Sequence, residues 1–125
     1  MGVSFEPVEQ ALASLREALD PPPRNSRERD GAIQRFEYTI ELAWKTAQRA
    51  LKELGVDAQS PKAVIRAMAR QAWIDDAETW LDFLAARNAT SHLYREETAA
   101  KVFAQVETFA ARCGDLIMDI KKALT

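Results

Sequence analysis

From Ile33 to Leu54 the apolar side chains Ile33, Phe36, Ile40, Ala43, Ala47, Leu51 and Leu54 recur at steps of three and four. A second seam of the same kind runs through Val102, Val106, Phe109, Cys113, Leu116 or Ile117, Ile120 and Leu124. A period near 3.5 sustained over that length suits antiparallel helices packed side by side and leaves no room for the period-two alternation of strands. The seams therefore restrict the chain to helix-on-helix packing.

The remaining segments agree. "FEPVEQALASLREALD" places Phe5, Val8, Leu12, Leu15 and Leu19 on one helix face, and "PPPRNS" ends it because prolines lack the N–H that a helix needs. Ser26 is the expected N-cap of the second helix, spanning roughly 27–54, and Gly55 its left-handed terminator. Ser60 and Pro61 open a short helix, "SPKAVIRAMARQA", with Val64, Ile65, Met68 and Ala72 on its apolar side. A fourth helix runs from about Asp75 to Thr90, capped by Asp76, with Ala77, Trp80, Leu81 and Leu84 inward. A fifth spans roughly 96–123, with Glu96 and Glu97 at the positive end of its dipole and Lys121 and Lys122 at the negative end. The expected fold is all-α, an up-and-down four-helix bundle plus one short helix, in a single domain of residues 1–125.

Composition narrows the function. No apolar run is long enough to span a membrane and no signal peptide is visible, so a cytoplasmic protein is expected. The single cysteine, Cys113, excludes an intrachain disulfide and a cysteine-based zinc site, and its place in an apolar seam makes it a buried thiol. With one histidine and no HxxxH or ExxH pattern, neither a metal nor another cofactor is expected. A net charge of −2 makes any grip on nucleic acid a local one.

The stretch "RNATSHLY", residues 87–94, holds that one histidine. Projected as helix, Trp80, Leu84, Arg87, Ser91 and Tyr94 form one stripe, and Ala77, Leu81, Leu84, Asn88 and His92 its neighbour. Both stripes start as core, which places Arg87, Asn88 and His92 at a bundle end or against a partner, with limited water. Arg87 and His92 lie about 140° apart on an unbroken helix. They meet only if the helix breaks near Thr90 and Ser91, whose hydroxyls favour a break, or across a subunit interface. A merely structural turn, with Arg87 paired to Asp82 or Glu96, accounts for the spacing as well.

Elsewhere, Lys45, Arg49 and Lys52 make a basic stripe, and Lys62, Arg66 and Arg70 another. Either is a solvated face or a phosphate-facing one, and the first could also take the acidic face of a partner; Lys45, Arg49 and Arg66 are the candidate phosphate contacts. Trp44 reads as a core or interface aromatic, Trp73 and Trp80 as packing, with Trp73 the more exposed to an interface of the two, and Glu37 and Glu41 as solvated or paired with Lys45.

"QRFEYTIELAWKTAQRALKELG", "SPKAVIRAMARQAWI" and "LDFLAARNATSHLY" together resemble the nucleotidyltransferase substrate-binding family, a branch of the HEPN superfamily that includes HepT-like toxins. The resemblance covers about residues 5–122, and "RNATSHLY" fits its R-x4-H-x-Y motif. It implies a homodimeric helical bundle that associates with a minimal nucleotidyltransferase encoded nearby, in pairs of the toxin–antitoxin type. One implied role is a substrate-binding subunit with no chemistry of its own. Another is a metal-independent endoribonuclease, with Arg87 and His92 catalytic, Asn88 accessory and Tyr94 the acceptor of an inhibitory AMP. A third is an inert dimeric scaffold. For the nuclease the residue types are coherent: an imidazole titrates near neutrality and transfers protons, and a guanidinium holds two phosphate oxygens. One histidine per chain is too few for separate acid and base, so that reading requires a two-fold dimer.

Overall fold

The computed structural model describes residues 2–125, and among them five α-helices and no strand. The helices are α1 (Glu6–Leu19), α2 (Ser26–Glu53), α3 (Pro61–Arg70), α4 (Ala77–Asn88) and α5 (Glu96–Ala123), with a 3-10 turn, Ala89–His92, between α4 and α5. The two long seams become α2 and α5, each of 28 residues. That is about 42 Å of helix apiece at 1.5 Å per residue. They pack against each other, with α1 against both on one side and α4 against both on the other. The short α3 fills in between α2 and α4. The expected four-helix bundle with one short helix is what forms.

Four aromatic rings join three of the helices. Phe36 of α2 meets Phe109 of α5 edge-on at 5.1 Å, and Trp80 and Phe83 of α4 meet Phe109 at 5.6 and 5.5 Å. Such T-shaped contacts add to the apolar burial itself. They fix α4 on the α2–α5 pair one turn before Arg87. Cys113 is buried in the same core, and burial pushes its thiol up to about 12.

Helix ends follow the sequence with two exceptions. Ser60 accepts from the Ala63 N–H at 3.1 Å and Asp76 from Thr79 at 2.7 Å, as expected. Gly55 takes the left-handed conformation (φ +80°), and the Val56 N–H returns to the Leu51 carbonyl at 2.8 Å. The cap of α2, however, is Asn25 rather than Ser26: its side-chain oxygen accepts from the Glu28 N–H at 2.9 Å, and Ser26 is already helical. Ala72 is not on the apolar face of α3. The helix ends at Arg70, and Ala72 is an exposed left-handed residue (φ +62°), with the Trp73 N–H bonded back to the Met68 carbonyl at 3.0 Å. That reversal carries Trp73 inward, where it is 4% exposed and packs in the core as expected, rather than facing an interface.

A polar cluster at the end of helix α4

Helix α4 stops two residues short of Thr90, for the reason its composition suggests. The Thr90 hydroxyl donates to the Arg87 carbonyl at 2.8 Å, taking an acceptor the helix would use, and the chain tightens into the 3-10 turn. Beyond the turn the Arg95 N–H bonds the His92 carbonyl at 3.1 Å and α5 begins at Glu96. The break between Arg87 and His92 is therefore present.

Arg87 leaves α4 toward α2. Its guanidinium lies between two carboxylates one helical turn apart, with Nη1 3.9 Å from Glu37 and Nε 3.7 Å from Glu41. Both distances are ion pairs too long for hydrogen bonds. The guanidinium makes one long hydrogen bond, from Nη1 to the Thr90 hydroxyl at 3.5 Å. Nε is buried and has no hydrogen-bond partner. The guanidinium is thus oriented by charge while most of its donors stay uncommitted. Lys45, 3.8 Å from Glu41, brings the four-residue cluster to zero formal charge. Neither expected partner of Arg87 is used: Asp82 is exposed, and Glu96 binds Arg29 at 2.6 Å, tying the start of α5 to α2. The pairing was detectable in principle. Glu37 and Glu41 border the apolar face of α2 just as Arg87 ends the apolar stripe of α4, and opposite charges at the rims of two facing cores meet when the helices pack.

Asn88, Ser91 and His92 are exposed in the single chain rather than shielded from water. Asn88 has no side-chain hydrogen bond among the described residues. Tyr94 is 76% exposed, its ring edge-on to His92 with centroids 6.0 Å apart, and the Arg95 guanidinium lies 5.6 Å from its centre. Lys45 and Arg49 are exposed on α2, and Arg66 on α3 lies apart from the cavity that Arg49 and Lys52 line. Trp44 is half-buried, with its indole N–H enclosed and unpaired and the Lys45 ammonium 5.8 Å from its ring. Among the described residues no group of three or more histidine, cysteine, aspartate or glutamate side chains is placed to hold a metal ion, and no helix is long and apolar enough to cross a membrane.

The family described as "nucleotidyltransferase substrate binding protein like" matches residues 3–122. The chain belongs to this family. A relative, the probable ribonuclease HepT of Haemophilus influenzae, is 32% identical over 97 residues, 74% of this chain. The match spans 66% of that relative's length. Among solved structures, a protein from Thermus thermophilus superposes with a TM-score of 0.84 at 36% identity, covering 90% of this chain and 98% of that one. A Haemophilus influenzae protein, described as revealing the fold of a substrate-binding domain of a nucleotidyltransferase, gives 0.83 at 26% identity over 94% and 99% of the two chains. The substrate-binding fold thus holds for the chain nearly end to end, and the similarity to a HepT ribonuclease for about three quarters of it.

Proposed function

We propose that this chain is the helical partner subunit of a minimal nucleotidyltransferase and that, as a cytoplasmic homodimer, it is itself a metal-independent endoribonuclease of the toxin–antitoxin type. The observation that carries the reading is the state of Arg87: held in place by Glu37 and Glu41 through Nη1 and the buried Nε, with Nη2 making no hydrogen bond among the described residues and so left to take a phosphate oxygen. The 3-10 turn presents His92 to solvent beside it in sequence, where an RNA backbone has access. Two copies joined at this end of α4 supply two histidines. One takes the proton of the 2′-hydroxyl as that oxygen attacks phosphorus, and the other protonates the departing 5′-oxygen. The arginines stabilise the charge gathering on the phosphate. Asn88 lines the same end as an accessory donor.

Exposed Tyr94 is the point of control. Its phenol oxygen attacks the α-phosphorus of ATP on the partner, pyrophosphate leaves, and the phenol proton is lost to solvent. The AMP added there stands two residues from His92 and competes with substrate phosphate for Arg87. The purified protein is expected to cut single-stranded RNA in EDTA, and His92→Ala to abolish it. RNA left intact at high protein concentration, without partner or ATP, overturns the nuclease reading. Intact-mass analysis after incubation with partner and ATP should show added AMP on the wild type and none on Tyr94→Phe. The description of the Haemophilus structure favours one other reading, a subunit that only presents substrate. In that case the partner's nucleotide transfer stops when this chain is left out and survives His92→Ala.

A further inference from the structure

Tyr38, Glu41, Lys45, Arg49 and Lys52 share one side of α2. At 3.6 residues per turn they fall within an arc of about 80°, away from the face that buries Phe36, Ile40, Ala43 and Ala47. Tyr38 is 43% exposed, and Lys45, Arg49 and Lys52 are exposed. Lys45 has Glu41 at 3.8 Å, whereas Arg49 and Lys52 have no carboxylate within ion-pair distance among the described residues. The ridge starts at the proposed site, because Glu41 is one of the two carboxylates against Arg87. From Glu41 the three cations follow at about 6, 12 and 17 Å along the helix axis.

At the far end, where α2 turns toward α3, lies a polar cavity of about 290 Å³ lined by Gln48, Arg49, Lys52, Val56, Asp57 and Gln59, with Ala58. Gln48 donates its amide N–H to the Ala58 carbonyl at 2.7 Å, and Gln59 donates to the Asp57 carboxylate. One Asp57 oxygen is held by Gln59, and the Asp57 charge is outnumbered in the lining by the two cations Arg49 and Lys52, which leaves a net positive charge and two amide oxygens for a ligand.

We propose that this ridge is the track of a single-stranded RNA leading away from the α4 site, with phosphates on Lys45, Arg49 and Lys52 and one nucleotide in the cavity at its end. The inference rests on the ribonuclease reading above. A chain of net charge −2 has no general attraction for RNA, so a strand is held only where cations are arrayed along its path. Here they stand in single file, one per turn, with Tyr38 offering an exposed ring beside the site for a base to stack on. The file begins at Lys45, beside the Glu41 that faces Arg87, and ends in a cavity of about 290 Å³, which suits a strand running on from the proposed site.

The probe is a fluorescein-labelled single-stranded oligoribonucleotide of about 16 nucleotides, within the range such grooves hold, bound to the full-length His92→Ala protein so that nothing is cut. Anisotropy is followed against salt. In that background Arg49→Glu with Lys52→Glu should weaken binding about tenfold or more and flatten the salt slope by about 1.4, two contacts at about 0.7 each. Lys122→Glu, an exposed cation elsewhere on α5, should change neither. Unchanged affinity and slope in the double variant, while the protein with His92 intact cuts RNA, overturns the track and leaves the nuclease reading standing. Loss of binding to the purified nucleotidyltransferase with RNA binding unchanged assigns the ridge to that protein and also overturns the track. If no form binds or cuts RNA, the ribonuclease reading fails first and the track falls with it.

Discussion

The two ends of α4 are built on opposite principles. Around Trp80 and Phe83 the helix is dry, with each ring meeting others edge-on and almost no surface exposed. One turn later Arg87 is held by ion pairs of 3.7 and 3.9 Å, and His92 and Tyr94 stand in solvent. The first end makes the fold and leaves nothing for a ligand. The second contributes little to stability and keeps its donors available. The difference shows how a small bundle orients a half-buried arginine: the aromatic junction fixes the helix, and charge aims the side chain.

The largest effect should come from the dry end. Phe83→Ala removes a fully buried ring and should cost about 3–5 kcal/mol of stability, read as a large drop in the denaturant midpoint. At the wet end His92→Ala should leave stability within about 0.5 kcal/mol while RNA cleavage falls by about 10²–10⁴-fold. A stability loss at His92 comparable to that at Phe83 would erase the contrast. Glu41→Gln should lower cleavage by about tenfold through misaimed Arg87, an effect of about 1.4 kcal/mol, at a stability cost under about 1 kcal/mol. As a positioning residue, Glu41 should act on kcat more than on KM, and Glu41→Asp should restore part of the rate. If Glu41→Gln instead unfolds the protein, the carboxylates are structural.

The smallest effect lies at the ends of α2 and α3, which close with the same hydrogen-bond pattern around a left-handed residue. It is glycine at 55 and alanine at 72. Ala72→Gly should stabilise the fold by about 1 kcal/mol, since glycine avoids the side-chain clash of that conformation. Thermal unfolding checks it, and a loss of stability would contradict it.

Much of the fold could be read from the order of residues, because periodicity is a local property. Ile33 to Leu51 and Val102 to Ile120 are buried as their spacing implied, and Ser60, Asp76 and Gly55 do what their chemistry suits. Leu54 is an exception, left exposed at the C-terminal cap of α2. Features that depend on one residue winning over its neighbour were harder to read. Asn25 and Ser26 are both capping residue types, and the helix starts one residue earlier than expected, capped by Asn25. The left-handed Ala72 offers no glycine to announce the turn, so nothing in the sequence signals that Trp73 swings back into the core. For the candidate site, the break after Asn88 followed from the hydroxyls of Thr90 and Ser91. The Glu37–Arg87–Glu41 cluster was legible only as opposite charges at the rims of two apolar faces, because which of them meet is set when the core brings α2 and α4 into register.

On the function proposed above, the polar end of α4 is a ribonuclease site only when two copies bring two histidines together. This requirement is tested by co-folding wild-type chain with increasing proportions of His92→Ala chain and measuring RNA cleavage in EDTA. If both histidines are needed, activity falls as the square of the wild-type fraction. A linear fall, or intact RNA with wild-type protein alone, contradicts the account.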